Sequence, residues 1–384
     1  MTTITTPPGK KPISQSAARK IEDMRAKGRR ACEAALSIPN GNDEAVQVAA
    51  KFLFDSADRL EQREFAAANP PESLPAILVI PDNATPNELA DARRRQSVKR
   101  GNDVFLPSWG GTTIALPYAF VRSALFSARR SIQTGNKLLL TESTPTPIEN
   151  KEVATFNDLT LRLSGLDLCQ FDRQVYVTCL DYYREVPLAS ETGDERIQTK
   201  FSEFAKRMGS KYSTRLHASL CASLTRLSLA GISMRFKGED FAVSKLIFFD
   251  FEKDEDLAGK VKGSDVLSLC VTVAVAELFG PKLWTAVDKT VIGYDGLKGW
   301  VANFYASHSG PRWLPLTTLY RMSGYGSTIN DFKKRLPQAL EQLTDMATPN
   351  SCRVSSYGVT SDKTSILVMR AAWAGQKPPV VPKD

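Results

Sequence analysis

The sequence predicts an α+β chain: two tandem winged-helix (helix-turn-helix) domains behind a partly disordered, helical N-terminal region. Three observations predict it. An order of helix, short helix, tight turn, long helix and two strands occurs twice. The two junctions echo each other: Arg207-Met208-Gly209-Ser210-Lys211-Tyr212-Ser213-Thr214 matches Arg321-Met322-Ser323-Gly324-Tyr325-Gly326-Ser327-Thr328 at four of eight positions, without a gap, at an offset of 114. A Pro-, Thr- and Arg-rich stretch with no continuous apolar pattern precedes both copies.

Residues 1–110 read as the N-terminal arm. Residues 2–16 are rich in Pro, Thr, Ser and Lys and are expected to be disordered. Residues 16–36 read as a basic helix. Residues 42–68 read as a second, capped by Asn42 or Asp43, with Val46, Ala49, Ala50, Leu53, Ala57 and Leu60 as its apolar stripe. Asn69-Pro70-Pro71 ends it. A Pro/Asn-rich stretch then leads to Arg93-Arg94-Arg95 and Lys99-Arg100, readable as a solvated linker face or as an arm touching phosphate.

The first domain is expected over 111–285. Residues 112–116 read as a strand, 160–163 alternate weakly, and 167–185 form a helix on Leu168, Phe171, Val175, Leu180 and Tyr183. A short helix, 199–208, carries Phe201, Phe204, Ala205 and Met208 at i, i+3, i+4 and i+7. Gly209 breaks it, and a long helix runs to 230. Strands follow at 232–236, 241–251 and 267–276. The second domain is expected over 286–375: a helix at 295–307, a short helix at 316–323, a Gly324-Tyr325-Gly326 turn, a long helix at 328–343, and strands at 352–357 and 365–369. Residues 376–384 read as a flexible tail.

Composition narrows the function. Of 384 residues, 50 are Lys or Arg and 42 Asp or Glu, a net charge of +8. A hydrophobic fraction of 42% supports a buried core. No apolar run suits a membrane span, and the polar N-terminus lacks a secretory h-region, so a cytoplasmic chain with reduced cysteines is expected. The six cysteines include no C-x-x-C pair, and the two histidines, His217 and His308, are isolated. Neither a phosphate-binding loop nor a G-x-S-x-G occurs. The expectation is no enzyme, no metal and no cofactor. The acidic run Asp250, Glu252, Asp254, Glu255 and Asp256 reads as a solvated turn. His308 reads as a helix-end residue, structural or facing a DNA backbone. A basic chain of this kind points toward nucleic acid.

Short helix, Gly turn and longer helix make a helix-turn-helix, and two following strands make a wing. The second helix of such a unit enters the major groove N-terminal end first. In the first copy Leu216, Leu220, Leu224 and Leu227 form the core stripe. Thr214, Arg215, Ala218, Ala222 and Thr225 face outward, with Ser219 and Arg226 at the edge. Small residues interleaved with Arg allow close approach to base edges. Lys211 and Tyr212, in the turn, suit phosphate. In the second copy Ile329, Phe332, Leu336, Leu340 and Leu343 face the core. Asp331, Lys334 and Gln338 face outward, flanked by Asn330 and Arg335, and Lys333 falls nearer the core. Pro337 is expected to kink that helix. The wings add Arg235 and Lys237 in the first copy, and Arg353, Lys363 and Arg370 in the second.

Four strings carry a resemblance: Arg122-Ser123-Ala124-Leu125-Phe126, Leu224-Thr225-Arg226-Leu227-Ser228-Leu229-Ala230-Gly231-Ile232-Ser233-Met234, Trp300-Val301-Ala302-Asn303-Phe304-Tyr305-Ala306-Ser307-His308 and Leu319-Tyr320-Arg321-Met322-Ser323-Gly324. Together they resemble the TrfA plasmid replication initiators of bacteria, over roughly residues 112–345. The resemblance implies tandem winged helices that bind direct repeats (iterons) at a plasmid origin, open an adjacent AT-rich segment and recruit the host helicase and initiator. Two different recognition helices in one chain predict a direct, asymmetric site bound by a monomer, with a dimer as a second form off DNA. The family's sliding-clamp string corresponds here to Asn102-Asp103-Val104-Phe105-Leu106-Pro107, which lacks the family's glutamine. A winged-helix transcriptional repressor is the alternative reading. A nuclease or relaxase is disfavoured by the two isolated histidines.

Overall fold

The computed structural model describes residues 15–36, 57, 77–129, 148–155, 159–190, 196–236, 239–243, 245–252, 261–376 and 379. The chain divides into two units, Met1–Leu74 and Pro75–Asp384. In the first, helix α1 (Gln15–Leu36) carries the exposed ion pairs Lys27–Asp23 and Arg29–Glu22. The helix expected over 42–68 lies outside the described residues except for Ala57, which is buried. The tail lies outside them except for Gln376 and Pro379.

The second unit starts with β1 (Ile77–Ile80), α2 (Pro86–Arg93), β2 (Ser97–Arg100) and β3 (Asp103–Phe105). Thr85 and Glu88 form a reciprocal capping box that starts α2. This stretch, read from sequence as arm, is built into the larger unit. Arg93 is buried and donates to the carbonyls of Leu106 (2.9 Å) and Arg184, and the Leu188 N–H donates to Val104 O at 2.8 Å. The string aligned with the clamp motif is β3 and its exit, with Val104 and Leu106 buried.

There follow β4 (Thr113–Pro117), α3 (Tyr118–Val121), β5 (Phe126–Ser127), β6 (Ile148–Val153), β7 (Leu159–Gly165), β8 (Leu168–Cys169), α4 (Gln170–Tyr182), β9 (Ile197–Lys200), α5 (Phe201–Arg207), α6 (Thr214–Leu229), β10 (Gly231–Phe236), β11 (Glu239–Val243), β12 (Phe248–Glu252) and β13 (Val266–Cys270). After a 3-10 helix (Val273–Phe279) come β14 (Trp284–Asp288), α7 (Lys289–Ile292), α8 (Gly296–Ala306), β15 (Trp313–Pro315), α9 (Leu316–Ser323), α10 (Ile329–Glu341), β16 (Val354–Val359) and β17 (Ser365–Arg370).

The repeat is deeper in three dimensions than in sequence. Apart from the β10–β11 hairpin inserted between α6 and β12, the series α4-β9-α5-α6-β12-β13 and α8-β15-α9-α10-β16-β17 follow one order. Each closes a three-stranded antiparallel sheet the same way, with the last strand in the middle: β12-β13-β9 and β16-β17-β15. A strand and a short helix stand before each series, directly before α8 in the second and with β5 to β8 intervening before α4 in the first. Those two strands, β4 and β14, pair antiparallel with each other, from Thr113 opposite Asp288 to Pro117 opposite Trp284. The boundary expected at 285/286 therefore falls inside a strand.

Three expected elements differ. The hairpin β10–β11, read as the first wing, lies in another sheet, β11-β10-β7-β6. The single strand expected over 241–251 is two strands in different sheets. After β11 the chain returns to the end of α6, where the Leu246 N–H donates to Ala230 O at 3.0 Å, and β12 starts afresh. The strand expected over 267–276 stops at Cys270, and the 3-10 helix takes its Val-rich second half.

The two repeats share a continuous apolar core and a polar seam. Arg122 donates to the Ser307 hydroxyl (2.9 Å) and carbonyl, and Trp300 Nε1 donates to Ser123 O at 3.2 Å. Fully buried Arg173 faces the carbonyls of Ile292, Tyr294 and Gly299 at 3.4 Å each, and burial lowers its pKa to about 9. Asp181 pairs with Arg207 and with Lys289, each at 2.9 Å. Among the described residues no helix is long and apolar enough to cross a membrane.

Candidate nucleic-acid interface

Both helix pairs are built by the same local chemistry. Gly209 (φ +80°) and Gly324 (φ +57°) follow the short helices in left-handed conformations that glycine adopts without strain. Ser213 and Thr328 then cap the long helices, accepting from Leu216 N and Asp331 N. The glycines, like the caps, are 115 residues apart, so the structural register is one residue off the sequence echo of 114.

On α6, His217, Leu220, Ser223, Leu224 and Leu227 are buried. Lys211, Thr214 and Arg215 are exposed where the turn meets the helix, and neither cation makes an ion pair among the described residues. Ala218 and Ser219 are half-buried, the Ser219 hydroxyl donating to Arg215 O at 3.1 Å. Tyr212 is half-buried and holds the His217 ring, hydroxyl to Nδ1, at 3.2 Å. A Cβ on Gly263 would lie 3.2 Å from the Tyr212 ring, so the approach to β13 packs on the turn.

Arg226 turns inward. Its Nε and a terminal nitrogen meet buried Asp172 at 3.1 and 2.7 Å, and the Ser223 hydroxyl donates to the same carboxylate at 2.7 Å. The guanidinium therefore fastens α6 to α4 rather than joining Arg215. Arg235 is locked to Asp240 by two bonds of 2.7 and 2.8 Å, on the four-stranded sheet β11-β10-β7-β6. Lys237 lies outside the described residues.

On α10, Phe332, Leu336, Ala339 and Leu340 are buried, and Asn330, Lys333, Lys334, Arg335 and Gln338 are exposed. Lys333 thus stands on the open face beside Lys334. Its place one turn after Ile329 suggests the core edge, but Ile329 itself is only half-buried, so that side of the helix stays open. Asp331 is half-buried and accepts from Tyr325 Oη at 2.7 Å, while Arg335 leans on Gln338 at 3.2 Å. The helix continues through Pro337 to Glu341.

Lys363 is exposed in the hairpin turn between β16 and β17, at φ +57°. Arg353 is half-buried beside Met346 Sδ, 3.2 Å away. Arg370 is buried, donating to the carbonyls of His308 (2.7 Å) and Ser351 (2.5 Å) over the Trp373 ring. Burial lowers its pKa to about 10, and that of neighbouring His308 to about 3. Both belong to the interior.

Three of the strings that carry the TrfA resemblance meet at the seam. Arg122 and Ser123 bond Ser307 and Trp300, and a Cβ on Gly324 would lie 2.9 Å from that of Ser127, just past the first string.

No family model and no curated protein matches the chain, so the TrfA resemblance rests on those strings alone. Two crystal structures are similar to it. A selenomethionine form of domains 2 and 3 of RctB is 10% identical, with a TM-score of 0.37 over 57% of this chain and 88% of that one. A second structure of RctB domains 2–3 is 11% identical, with a TM-score of 0.38 over 59% and 93%. At that level of likeness neither fold nor function transfers.

Proposed function

We propose that the chain is a replication initiator that binds origin direct repeats through two winged-helix units, opens adjacent AT-rich DNA without an enzymatic step of its own, and recruits the host helicase and initiator. One observation carries the DNA-binding reading: the same helix order and the same three-stranded sheet occur twice, and each copy has exposed cations on the long helix or its turn that make no ion pair among the described residues. That order is the winged-helix one, with β12–β13 and β16–β17 as the wings. Lys211, Arg215, Lys333 and Lys334 supply phosphate contact and base reading, and Thr214, Asn330 and Gln338 supply polar edges. The two helices differ in sequence, so one protomer reads an asymmetric site of roughly 20 base pairs.

The step from DNA binding to initiation rests on the resemblance, whose strings meet at the seam between the repeats. The test is whether the gene with its adjacent DNA sustains replication of an otherwise inert circle, alongside footprinting on that DNA. Replication with protection of direct repeats supports the reading. A palindromic site held by a two-fold dimer, with no replication, replaces it with a repressor.

A further inference from the structure

We infer that Arg129, contributed by the first half of the chain, completes the phosphate-binding surface of the second helix pair. The inference rests on the DNA-binding reading above and adds a contact to it. Arg129 follows a tightly held segment. The Ala128 N–H donates to the carbonyl of Ser323, the last residue of α9, at 2.7 Å. The Ser127 hydroxyl donates to Leu168 O at 3.0 Å, and β5 pairs with β8. The backbone is thereby fixed at the start of the α9–α10 turn, and the Arg129 side chain lies along that turn. A Cβ on Gly326 would come within 3.2 Å of Arg129 Cγ and 3.3 Å of its Nε.

The turn of a helix-turn-helix and the N-terminus of its second helix are where backbone phosphate docks. Lys333 and Lys334 are exposed in the N-terminal half of α10. The guanidinium is more than half exposed and only loosely opposed, 3.8 Å from Asp167, which also holds Lys151 at 2.9 Å. Among the described residues two cations share this one carboxylate, so the group is net positive and attracts an anion. A duplex phosphate over the turn meets Arg129 without disturbing the core. A side chain at position 326 would press on the arginine, whose flexible end would have to give by a few tenths of an ångström.

The test uses the full chain, a 40-base-pair duplex it selects from a random pool, and an unrelated duplex of equal length, with affinity measured against salt. Arg129→Ala is expected to weaken both duplexes about equally, by about tenfold at low salt, and to reduce the log–log salt slope by about one. Arg129→Lys restores much of this. Asp167→Asn, which removes the competing carboxylate, tightens binding several-fold and guards against a loss that is merely misfolding. Unchanged affinity and slope in Arg129→Ala, with tight wild-type binding, overturns the inference and leaves the DNA-binding reading standing. Failure of the wild-type chain to select any duplex overturns that reading and this inference with it.

Discussion

Gly209 and Gly324 occupy equivalent positions in the two repeats, and replacing each with alanine separates backbone cost from packing cost. At both, the positive φ disfavours any residue with a Cβ, by about 1–2 kcal/mol. Their surroundings differ. Around Gly209 a Cβ would meet nothing within 4 Å. At Gly324 it would meet Ser127 Cβ at 2.9 Å, Ala124 Cβ at 3.3 Å and Ser127 Cα at 3.4 Å, on a segment pinned by backbone bonds that cannot easily give way. Overpacking of that kind costs about 1–3 kcal/mol more. Gly209→Ala is therefore expected to lose about 1–2 kcal/mol and Gly324→Ala about 2–5 kcal/mol, measured by denaturant unfolding at matched m-values. Ser127→Gly in the Gly324→Ala background removes the closest contact and should recover part of the difference. Equal losses in the two alanine variants, or a larger one at Gly209, would refute the account of the seam.

Binding to duplex DNA should weaken steeply with salt: about six phosphate contacts give a log–log slope near −5, and one flatter than about −2 removes the case for this surface. Arg215→Ala should cost roughly 1–3 kcal/mol and relax preference at one or two base pairs, whereas Lys211→Ala should weaken all sequences alike; the reverse pattern in a selection experiment would show the reading face of α6 to be elsewhere. Arg226→Ala leaves buried Asp172 without its cation and should cost about 3 kcal/mol of stability with base preference intact; a stable variant with altered preference would return Arg226 to the interface. Folded His308 stays neutral down to about pH 3. Below about pH 6.5 the unfolded chain takes up a proton there that the folded one refuses, so stability is lost as pH falls, by up to ~1.4 kcal/mol per unit. Unfolding of His308→Gln across about pH 4 to 7 should show a shallower slope, and an identical slope would contradict the burial argument.

Helices with an apolar stripe and one clear end signal are readable from sequence to within a few residues, as at Leu316–Ser323, stopped by Gly324, and Gly296–Ala306, capped by Asp295. Strands were less so. Alternation ran on through 241–251 because it carries no mark of a change of sheet. The return of Leu246 to the end of α6 is a tertiary event. Residues 273–276 read as extended because β-branched residues are frequent in strands, yet packing sets Val273–Phe279 as a 3-10 helix. Charge misled in a consistent way. Arg93, Arg226 and Arg370 each look solvated in a sequence, but each is spent on carbonyls or a carboxylate inside the fold. Arginine can satisfy several internal acceptors at once, and a linear pattern does not distinguish that use from an exposed one. Arg129 is the opposite case: it lies almost two hundred residues from the turn it approaches, so no local pattern marks it.

Because β4 and β14 complete each other, neither repeat owns a finished edge. A chain trimmed to its first repeat presents Thr113–Pro117 as a bare strand, with backbone donors and acceptors that must find partners. The same segment in another trimmed copy is equally bare, and two antiparallel strands can satisfy one another across a two-fold axis. Fragments produced by proteolysis between the repeats are thus expected to associate with one another, exchanging a bond within one molecule for one between two.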